Sequence, residues 1–170
     1  MDDRQPAEVL GTILKERELT VSCAESCTGG NLAHRITQNP GSSAYFLGSV
    51  VSYANNVKSE VLGVSRSNIA QYGAVSRQVV EQMAEGAAKI MRTDCSIATS
   101  GIAGPDGGTK NKPVGTVWMA ARFHDKLVTE CVVFSGDRNS VIEQATNHSL
   151  VMLINLLRNN YTAPEDFNDE

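Results

Sequence analysis

Hydrophobic and polar positions along the chain follow two periodicities, which predict helices and strands in turn. Apolar residues recur every three or four positions in 6–17 and 77–91, which is typical of helices with one buried side. Short apolar runs bounded by glycine, proline, asparagine or serine are typical of strands. The predicted strands are 19–23, 45–53, 94–100, 114–123 and 127–134, and the predicted helices are 6–17, 30–38, 56–62, 67–72, 77–91 and 138–159.

Turn and capping residues separate these elements. Asn39-Pro40-Gly41 marks a turn, Asn55 is a good N-cap for the helix after the second strand, and Ser76 caps the helix after it. His124-Asp125-Lys126 joins the last two strands as an antiparallel pair, and Ser135-Gly-Asp-Arg138 opens the last helix. Helices and strands therefore alternate at first, and a hairpin enters late.

This order of elements predicts an α/β fold, a single three-layer α/β/α domain with a mixed sheet. The predicted domain covers 1–159, and a chain of 170 residues is long enough to bury a sizeable core. Residues 160–170 are polar and acidic, with Pro164 among them, and we predict that they form a disordered tail.

Charge and hydropathy narrow the classes of partner. The formal net charge is −4 and the sequence has no run rich in lysine or arginine, which argues against a nucleic-acid partner. The opening residues are polar and acidic, unlike a signal peptide, and the apolar runs are too short to span a bilayer. We therefore expect a cytoplasmic protein with no membrane or nucleic-acid partner.

The four cysteines are expected to be reduced thiols. Cys23, Cys95 and Cys131 each lie in an apolar run, where a cysteine acts as a small buried hydrophobic residue, whereas Cys27 alone lies in a polar loop. Cys23 and Cys27 are four positions apart with no second pair at zinc-like spacing. We expect neither a metal nor a cofactor.

The polar loop 25–30, Glu-Ser-Cys-Thr-Gly-Gly, brings several nucleophiles to the start of a predicted helix. The N–H groups at a helix N-terminus favour a bound anion or a developing negative charge. Ser26, Cys27 and Thr28 are the candidate nucleophiles, and a thiol at a helix N-terminus can have a lowered pKa. We expect the chemistry of the protein at this loop.

A hydroxyl nucleophile needs a base, and the histidines are poor candidates for it. His34 and His148 fall within helices and His124 in a turn, which leaves Lys58. Ser–Lys pairs are a known variant of the catalytic triad, provided that the amine is neutral, and a free lysine titrates near ~10.4. Burial or a nearby cation such as Arg138 would have to lower that pKa, and a solvated surface position is the alternative for Lys58.

Three glycine-bearing loops, 25–30, 100–108 and 135–138, follow or flank predicted strands, where α/β proteins bind ligands. Arg138 offers a planar donor fork suited to phosphate or carboxylate, although a salt bridge to Asp137 or Asp106 is an equal alternative. No GxGxxG and no GxxxxGK[ST] pattern occurs, which argues against an ATP-hydrolysing P-loop protein.

Several motifs in the same order resemble the CinA C-terminal domain family, the nicotinamide-nucleotide amidohydrolases or nicotinamide mononucleotide deamidases. The resemblance covers residues ~5–158. The matching motifs are Ala24-Glu-Ser-Cys-Thr-Gly-Gly30, Gly41-Ser-Ser43, Tyr53-Ala-Asn-Asn-Val-Lys58, Gly73-Ala-Val-Ser76, Ser100-Gly-Ile-Ala-Gly-Pro-Asp-Gly-Gly108, Lys112-Pro-Val-Gly-Thr-Val-Trp118 and Phe134-Ser-Gly-Asp-Arg138.

This resemblance implies a three-layer α/β/α domain that hydrolyses the carboxamide of nicotinamide mononucleotide. The products would be nicotinate mononucleotide and ammonia, feeding pyridine nucleotide salvage. Family members are bacterial, cytoplasmic and commonly dimeric, which implies a homodimer. The alternatives are a non-catalytic nucleotide-binding or regulatory module linked to competence or DNA damage, and an amidase for another small amide.

With amide hydrolysis as the implied reaction, the candidate residues receive roles. Ser26 is the predicted nucleophile, Lys58 the general base and Tyr53 a relay or orienting hydroxyl, with Cys27 as the rival nucleophile. The backbone N–H groups of Thr28, Gly29 and Gly30 are the predicted oxyanion donors. The residues expected to hold ribose and phosphate or to line the site are Ser42, Ser43, Ser100, Gly101, Gly104 and Arg138.

Overall fold

The computed structural model describes residues 3–160, whose five strands form one mixed sheet. The strands are β1 (Val21–Glu25), β2 (Phe46–Val51), β3 (Cys95–Gly101), β4 (Thr116–Phe123) and β5 (Lys126–Val133), in the order β2-β1-β3-β4-β5. β1 is parallel to both of its neighbours, whereas β4 is antiparallel to β3 and to β5. The predicted mixed sheet is confirmed.

Helices cover both faces of this sheet. They are α1 (Pro6–Glu16), α2 (Asn31–Thr37), α3 (Asn55–Leu62), α4 (Arg66–Tyr72), α5 (Arg77–Met91) and α6 (Arg138–Asn159), with a short 3₁₀ helix at Ser42–Ala44. Apolar residues of α1, α2 and α6 pack on one face, and those of α3, α4 and α5 pack on the other. This arrangement confirms the predicted α/β/α layers. Within residues 3–160, no helix is both long and apolar enough to cross a membrane.

Some element bounds differ from the prediction in ways that matter for the site. β1 begins two residues later than predicted because Thr20 instead donates hydrogen bonds from its N–H and hydroxyl to the Asp94 carboxylate. β1 then continues to Glu25, which is therefore a strand residue and not part of the loop. Asn55 is the first residue of α3, not its N-cap, a position that Ala54 takes without a side-chain bond.

The prediction for the cysteines is confirmed at two positions and wrong at a third. Cys23 and Cys95 are buried, and burial raises the pKa of both thiols, that of Cys95 to about 12. Cys131 is exposed: it lies on the edge strand β5, none of whose residues is buried. The predicted disordered tail, apart from Asn160, lies outside the described residues.

The parallel part of the sheet determines where the site lies. β1, β2 and β3 run in the same direction, so their carboxyl ends, at Glu25, Val51 and Gly101, meet at one edge. β1 lies between the other two, and the chain leaves β1 and β2 toward opposite faces of the sheet. A crevice at such a position is the usual ligand site of open α/β sheets.

Candidate active site

A cavity of about 220 Å³ opens at the carboxyl ends of β1, β2 and β3. Its lining residues come from five separate segments of the chain: Ser26, Cys27, Tyr53, Asn55, Lys58, Ala74, Val75, Ser100, Gly101, Ala103 and Arg138. A larger groove of about 530 Å³ lies between α3 and α5, and the described residues that line it include no buried nucleophile beside a base. Chemistry, not size, singles out the smaller cavity.

Ser26 and Lys58 lie side by side in this cavity. Lys58 Nζ lies 3.0 Å from Ser26 Oγ, 2.6 Å from the carbonyl oxygen of Ser52 and 3.3 Å from that of Tyr53. Lys58 is only 1% exposed, and no carboxylate of residues 3–160 lies within 4.0 Å of its Nζ. A solvated surface position for Lys58 is therefore excluded.

This environment favours the neutral amine. Burial lowers the pKa of Lys58 from its ordinary value, and the nearby Cys27 opposes that shift. A neutral amine can donate its two protons to the two carbonyl oxygens and direct its lone pair at the Ser26 hydroxyl. The geometry therefore fits a base that removes the Ser26 proton.

A carboxylate of the chain itself occupies the N-terminus of α2. Glu25 is fully buried, and its two carboxylate oxygens accept hydrogen bonds from the N–H groups of Leu32 and Ala33. Thr28 also donates its hydroxyl to Glu25, at 2.7 Å. The anion predicted for this loop is thus an internal one.

The same contacts occupy the hydroxyl of Thr28, another of the three candidate nucleophiles. Its hydroxyl lies between the Glu25 carboxylate and Thr99 Oγ1, beneath the cavity and not in it. Cys27 does line the cavity, but burial raises the pKa of its thiol to about 12. The expectation of a lowered Cys27 pKa is wrong, because α2 begins only at Asn31 and the thiol packs in the apolar core. Of the three candidates, Ser26 alone is paired with a base.

The predicted oxyanion donors are also placed differently. The N–H of Gly29 donates to the carbonyl oxygen of Ser26, which closes a turn, and Thr28, Gly29 and Gly30 all lie outside the lining of the cavity. The N–H of Ser26 is bonded to the carbonyl oxygen of Thr99. The N–H of Cys27, the residue after Ser26, donates to no other residue in the described part of the chain.

Arg138 also lines the cavity. Its guanidinium donates to the carbonyl oxygen of Gly104 at 2.6 Å and to the hydroxyl of Tyr53 at 2.9 Å. No carboxylate of the described chain pairs with it, since Asp137 instead caps α6 by accepting from Ser140. The Tyr53 hydroxyl is thus directed to Arg138, and the contact of Tyr53 with Lys58 is made by its backbone carbonyl. Gly104 touches the site only through its carbonyl oxygen.

The remaining predicted site residues divide into two groups. Ser100 and Gly101 line the cavity, and Ser100 donates its hydroxyl to the carbonyl oxygen of Ala74, which fixes the loop between α4 and α5. Gly101 permits close packing of β3 on β4, where an added Cβ would lie 2.7 Å from the Thr116 carbonyl oxygen. Ser42 and Ser43 lie at the other end of β2, about 20 Å of strand away, and do not line the cavity.

Sequence reasoning missed three contributors to the site. Asn55 lines the cavity, and no hydrogen bond to its side chain amide exists among residues 3–160. Its position three residues before Lys58 on α3 is a signal that could have found it. Ser52 and Glu25 do not line the cavity, but the Ser52 carbonyl oxygen accepts from Lys58 Nζ and Ser52 is bonded to the Glu25 carbonyl. Only the strand register brings these residues together. No three His, Cys, Asp or Glu side chains of the described chain could jointly hold a metal ion.

Known proteins with similar sequences include enzymes. The chain is 49% identical over 150 residues to the nicotinamide-nucleotide amidohydrolase PncC of Escherichia coli K12, covering 88% of this chain and 91% of that protein. It is 45% identical over 157 residues to a putative competence-damage inducible protein of Moorella thermoacetica, covering 92% of this chain but 38% of that longer protein.

Several solved structures are similar to this chain in both fold and sequence. A CinA superfamily protein from Enterobacter cloacae matches with a TM-score of 0.87 and 35% identity, over 92% of this chain and 95% of that chain. A competence damage-inducible protein A from Klebsiella pneumoniae matches with a TM-score of 0.88 and 33% identity, over 93% and 100%. The sequence profile of the CinA C-terminal domain matches residues 3–157. The chain therefore belongs to the CinA C-terminal domain family.

Proposed function

We propose that this protein hydrolyses the carboxamide of nicotinamide mononucleotide to nicotinate mononucleotide and ammonia. One observation carries the proposal: the buried amine of Lys58 lies 3.0 Å from the Ser26 hydroxyl in a cavity that also holds the Arg138 guanidinium. The 49% identity to a nicotinamide-nucleotide amidohydrolase supports the same reaction and substrate.

The reaction proceeds through an ester of Ser26. Neutral Lys58 removes the Ser26 proton as Oγ attacks the carboxamide carbon, and the resulting ammonium then protonates the departing nitrogen, which leaves as ammonia. Lys58, neutral again, takes a proton from water, which attacks the ester carbonyl. Return of that proton to Oγ releases the nicotinate product and regenerates both side chains.

The developing oxyanion needs a donor at the position that the carbonyl oxygen reaches. The Cys27 N–H fits this role because it follows the nucleophile, lines the cavity and does not donate to another described residue. The N–H groups of Ser26 and Gly29 are already bonded within the turn. We assign Cys27 to the site through its backbone, not through its thiol.

The part of the cavity near Arg138 is suited to the nucleotide part of the substrate. Arg138 is a cation without a carboxylate partner in residues 3–160, and its planar fork can bind the 5′-phosphate. The free amide of Asn55 and the backbone near Gly101 are placed to contact the ribose or the carboxamide. Tyr53 holds Arg138 in position through its hydroxyl.

Ammonia release from nicotinamide mononucleotide tests the proposal. We expect turnover by the wild type and a fall of about 10³-fold or more in Ser26→Ala and in Lys58→Met, since each removes one partner of the pair. Ser42→Ala, which removes a hydroxyl at the other end of β2, is the matched control and should keep full activity. Ser26→Ala turnover within tenfold of wild type would refute the mechanism. Nucleotide binding without any product would favour the non-catalytic module.

The homodimer belongs to the same proposal. Edge strand β2 exposes two apolar side chains, Leu47 at 50% and Val51 at 46%. A second copy of the chain that covers them would remove this apolar surface from water, which supports a homodimer. Light scattering should give twice the chain mass of 18.3 kDa, and a monomer at micromolar concentration would contradict it. Cytoplasmic location and a place in pyridine nucleotide salvage remain predictions.

A further inference from the structure

The buried carboxylate of Glu25 lies outside the cavity, and the mechanism above does not use it. It is fully buried, and no cation of residues 3–160 lies within 4.0 Å of it. A buried charge of this kind is costly unless hydrogen bonds replace its hydration. Its position directly before Ser26 raises the question of what the charge achieves.

Four donors satisfy this carboxylate, two at each oxygen. Oε1 accepts from the Thr28 hydroxyl at 2.7 Å and from the Leu32 N–H at 2.9 Å. Oε2 accepts from the Ser49 hydroxyl at 3.0 Å and from the Ala33 N–H at 3.2 Å. The side chain therefore joins β1 to the turn after Ser26, to the first turn of α2 and to β2.

The backbone of Glu25 extends this connection to the base. Its carbonyl oxygen accepts from both the N–H of Ser52, at 2.8 Å, and the Ser52 hydroxyl, at 3.2 Å. The Ser52 carbonyl in turn accepts from Lys58 Nζ at 2.6 Å, the shortest contact of that amine. Glu25 is thus the chain neighbour of Ser26, and it is linked to Lys58 by hydrogen bonds through Ser52.

We propose that Glu25 is a positioning residue that holds Ser26 and Lys58 at reacting distance; this rests on the proposed function. A carboxylate suits this role because it only accepts hydrogen bonds, and the four groups around it all donate. Each of its oxygens faces one backbone N–H, which cannot reverse its direction. In Glu25→Gln, either orientation of the amide sets an NH₂ group against a backbone N–H of α2.

Steady-state kinetics of Glu25→Gln with nicotinamide mononucleotide test this inference. We expect kcat to fall about 10- to 100-fold, as a small misplacement of reacting groups does, while KM stays within about twofold because Arg138 and Asn55 are unchanged. Ser49→Ala removes one donor and leaves both N–H bonds, so its loss of kcat should be smaller. Leu157→Ala, a core change in α6, serves as the control for lowered stability and should keep kcat at 25 °C.

A second readout does not depend on the substrate. The rate at which a fluorophosphonate labels Ser26 should fall in parallel with kcat in Glu25→Gln, and should be unchanged in Leu157→Ala. If the wild type releases no ammonia, the proposed function fails but this labelling rate still tests the role of Glu25.

Folded Glu25→Gln with kcat and labelling rate within threefold of wild type would overturn the inference. So would a loss confined to KM, or a loss matched by Leu157→Ala at equal melting temperature. If Glu25→Gln does not fold, Ser49→Ala and Thr28→Val decide: lowered kcat with unchanged KM supports positioning, and unchanged kcat in both refutes it.

Discussion

At the scale of single residues, the amine of Lys58 has the most unusual surroundings in the site. A lysine is seldom fully buried without a carboxylate, because the ammonium loses its hydration and gains no counter-charge. Here two backbone carbonyls and one hydroxyl surround Nζ. These neutral partners satisfy a neutral amine fully, but they compensate a charged one poorly, so burial lowers the Lys58 pKa. On the proposed mechanism, Lys58 is thereby prepared to act as a base before substrate binds.

The pH dependence of kcat follows from the direction of that shift. Protonated Lys58 cannot accept the Ser26 proton, so kcat should rise with pH and reach a plateau, with a midpoint below the ordinary lysine value of 10.5. Ser42→Ala should keep this midpoint. A midpoint at or above 10.5 would contradict the role of Lys58, as would the same profile in the residual activity of Lys58→Met.

The Cys27 thiol should be dispensable and slow to react. With its pKa raised to about 12 by burial, it remains a thiol throughout the neutral range. We expect Cys27→Ser to keep kcat within about threefold of wild type, and iodoacetamide at pH 7.5 to leave activity intact over an hour. Rapid inactivation that nicotinamide mononucleotide prevents would show instead that the thiolate forms in the site.

At the scale of secondary structure elements, the position of α3 sets the position of Lys58, the proposed base. α3 packs on α5 at Gly86, where an added Cβ would lie 2.1 Å from the carbonyl oxygen of Leu62. Only a residue without a side chain allows the two helices to approach this closely. Lys58 lies one turn before Leu62 on α3, so a shift of this helix would move Nζ away from Ser26.

Gly86→Ala should therefore reduce both stability and activity. By helix propensity alone the change would stabilise the protein by up to ~1 kcal/mol, but the clash should cost ~1–3 kcal/mol and reverse the sign. We expect a lower melting temperature and a kcat reduced more than KM is raised. Lys89→Ala, an exposed change on the same helix, is the control and should alter neither. An increase in melting temperature would show that α3 is free to adjust.

The elements could be predicted better from the sequence than the direction of their side chains. The bounds of α5 and α6 are as predicted, because Ser76 and Asp137 supply N-cap oxygens that mark where each helix begins. Residue types made Lys58 the candidate base, but they left Ser26, Cys27 and Thr28 open as nucleophiles, and Ser26 was assigned only with the family resemblance. Two features could not be predicted: Glu25 and Thr28 turn inward, and Ser42 and Ser43 lie at the far end of β2. Both depend on strand register and turn geometry, which the hydrophobic pattern does not specify.

At the scale of the whole molecule, the site forms only when distant parts of the chain come together. Ser26 follows β1, Lys58 lies on α3, Ser100 ends β3 and Arg138 begins α6, so the sheet is the frame that fixes their distances. Charge is also distributed unevenly. The chain has a formal net charge of −4, yet the cavity contains Lys58 and Arg138, and no carboxylate of residues 3–160 lines it. A local cation in an acidic protein favours an anionic substrate at this position and not over the surface in general.

Arg138→Gln tests whether this cation binds the phosphate while Ser26 and Lys58 carry out the reaction. Removing the guanidinium should raise KM for nicotinamide mononucleotide about tenfold or more, because a charge-assisted hydrogen bond to the phosphate is lost, with a smaller effect on kcat. Nicotinamide riboside lacks that phosphate, so its kcat/KM should change less than threefold in the same variant. Rising salt should raise the KM of the wild type for nicotinamide mononucleotide and leave the KM of Arg138→Gln nearly unchanged. Tyr53→Phe, which removes the hydroxyl that holds Arg138, should raise KM in the same selective way but by less. Equal losses for both substrates would instead place Arg138 in the support of Ser26 and Lys58, through Gly104 and Tyr53, and not in phosphate binding.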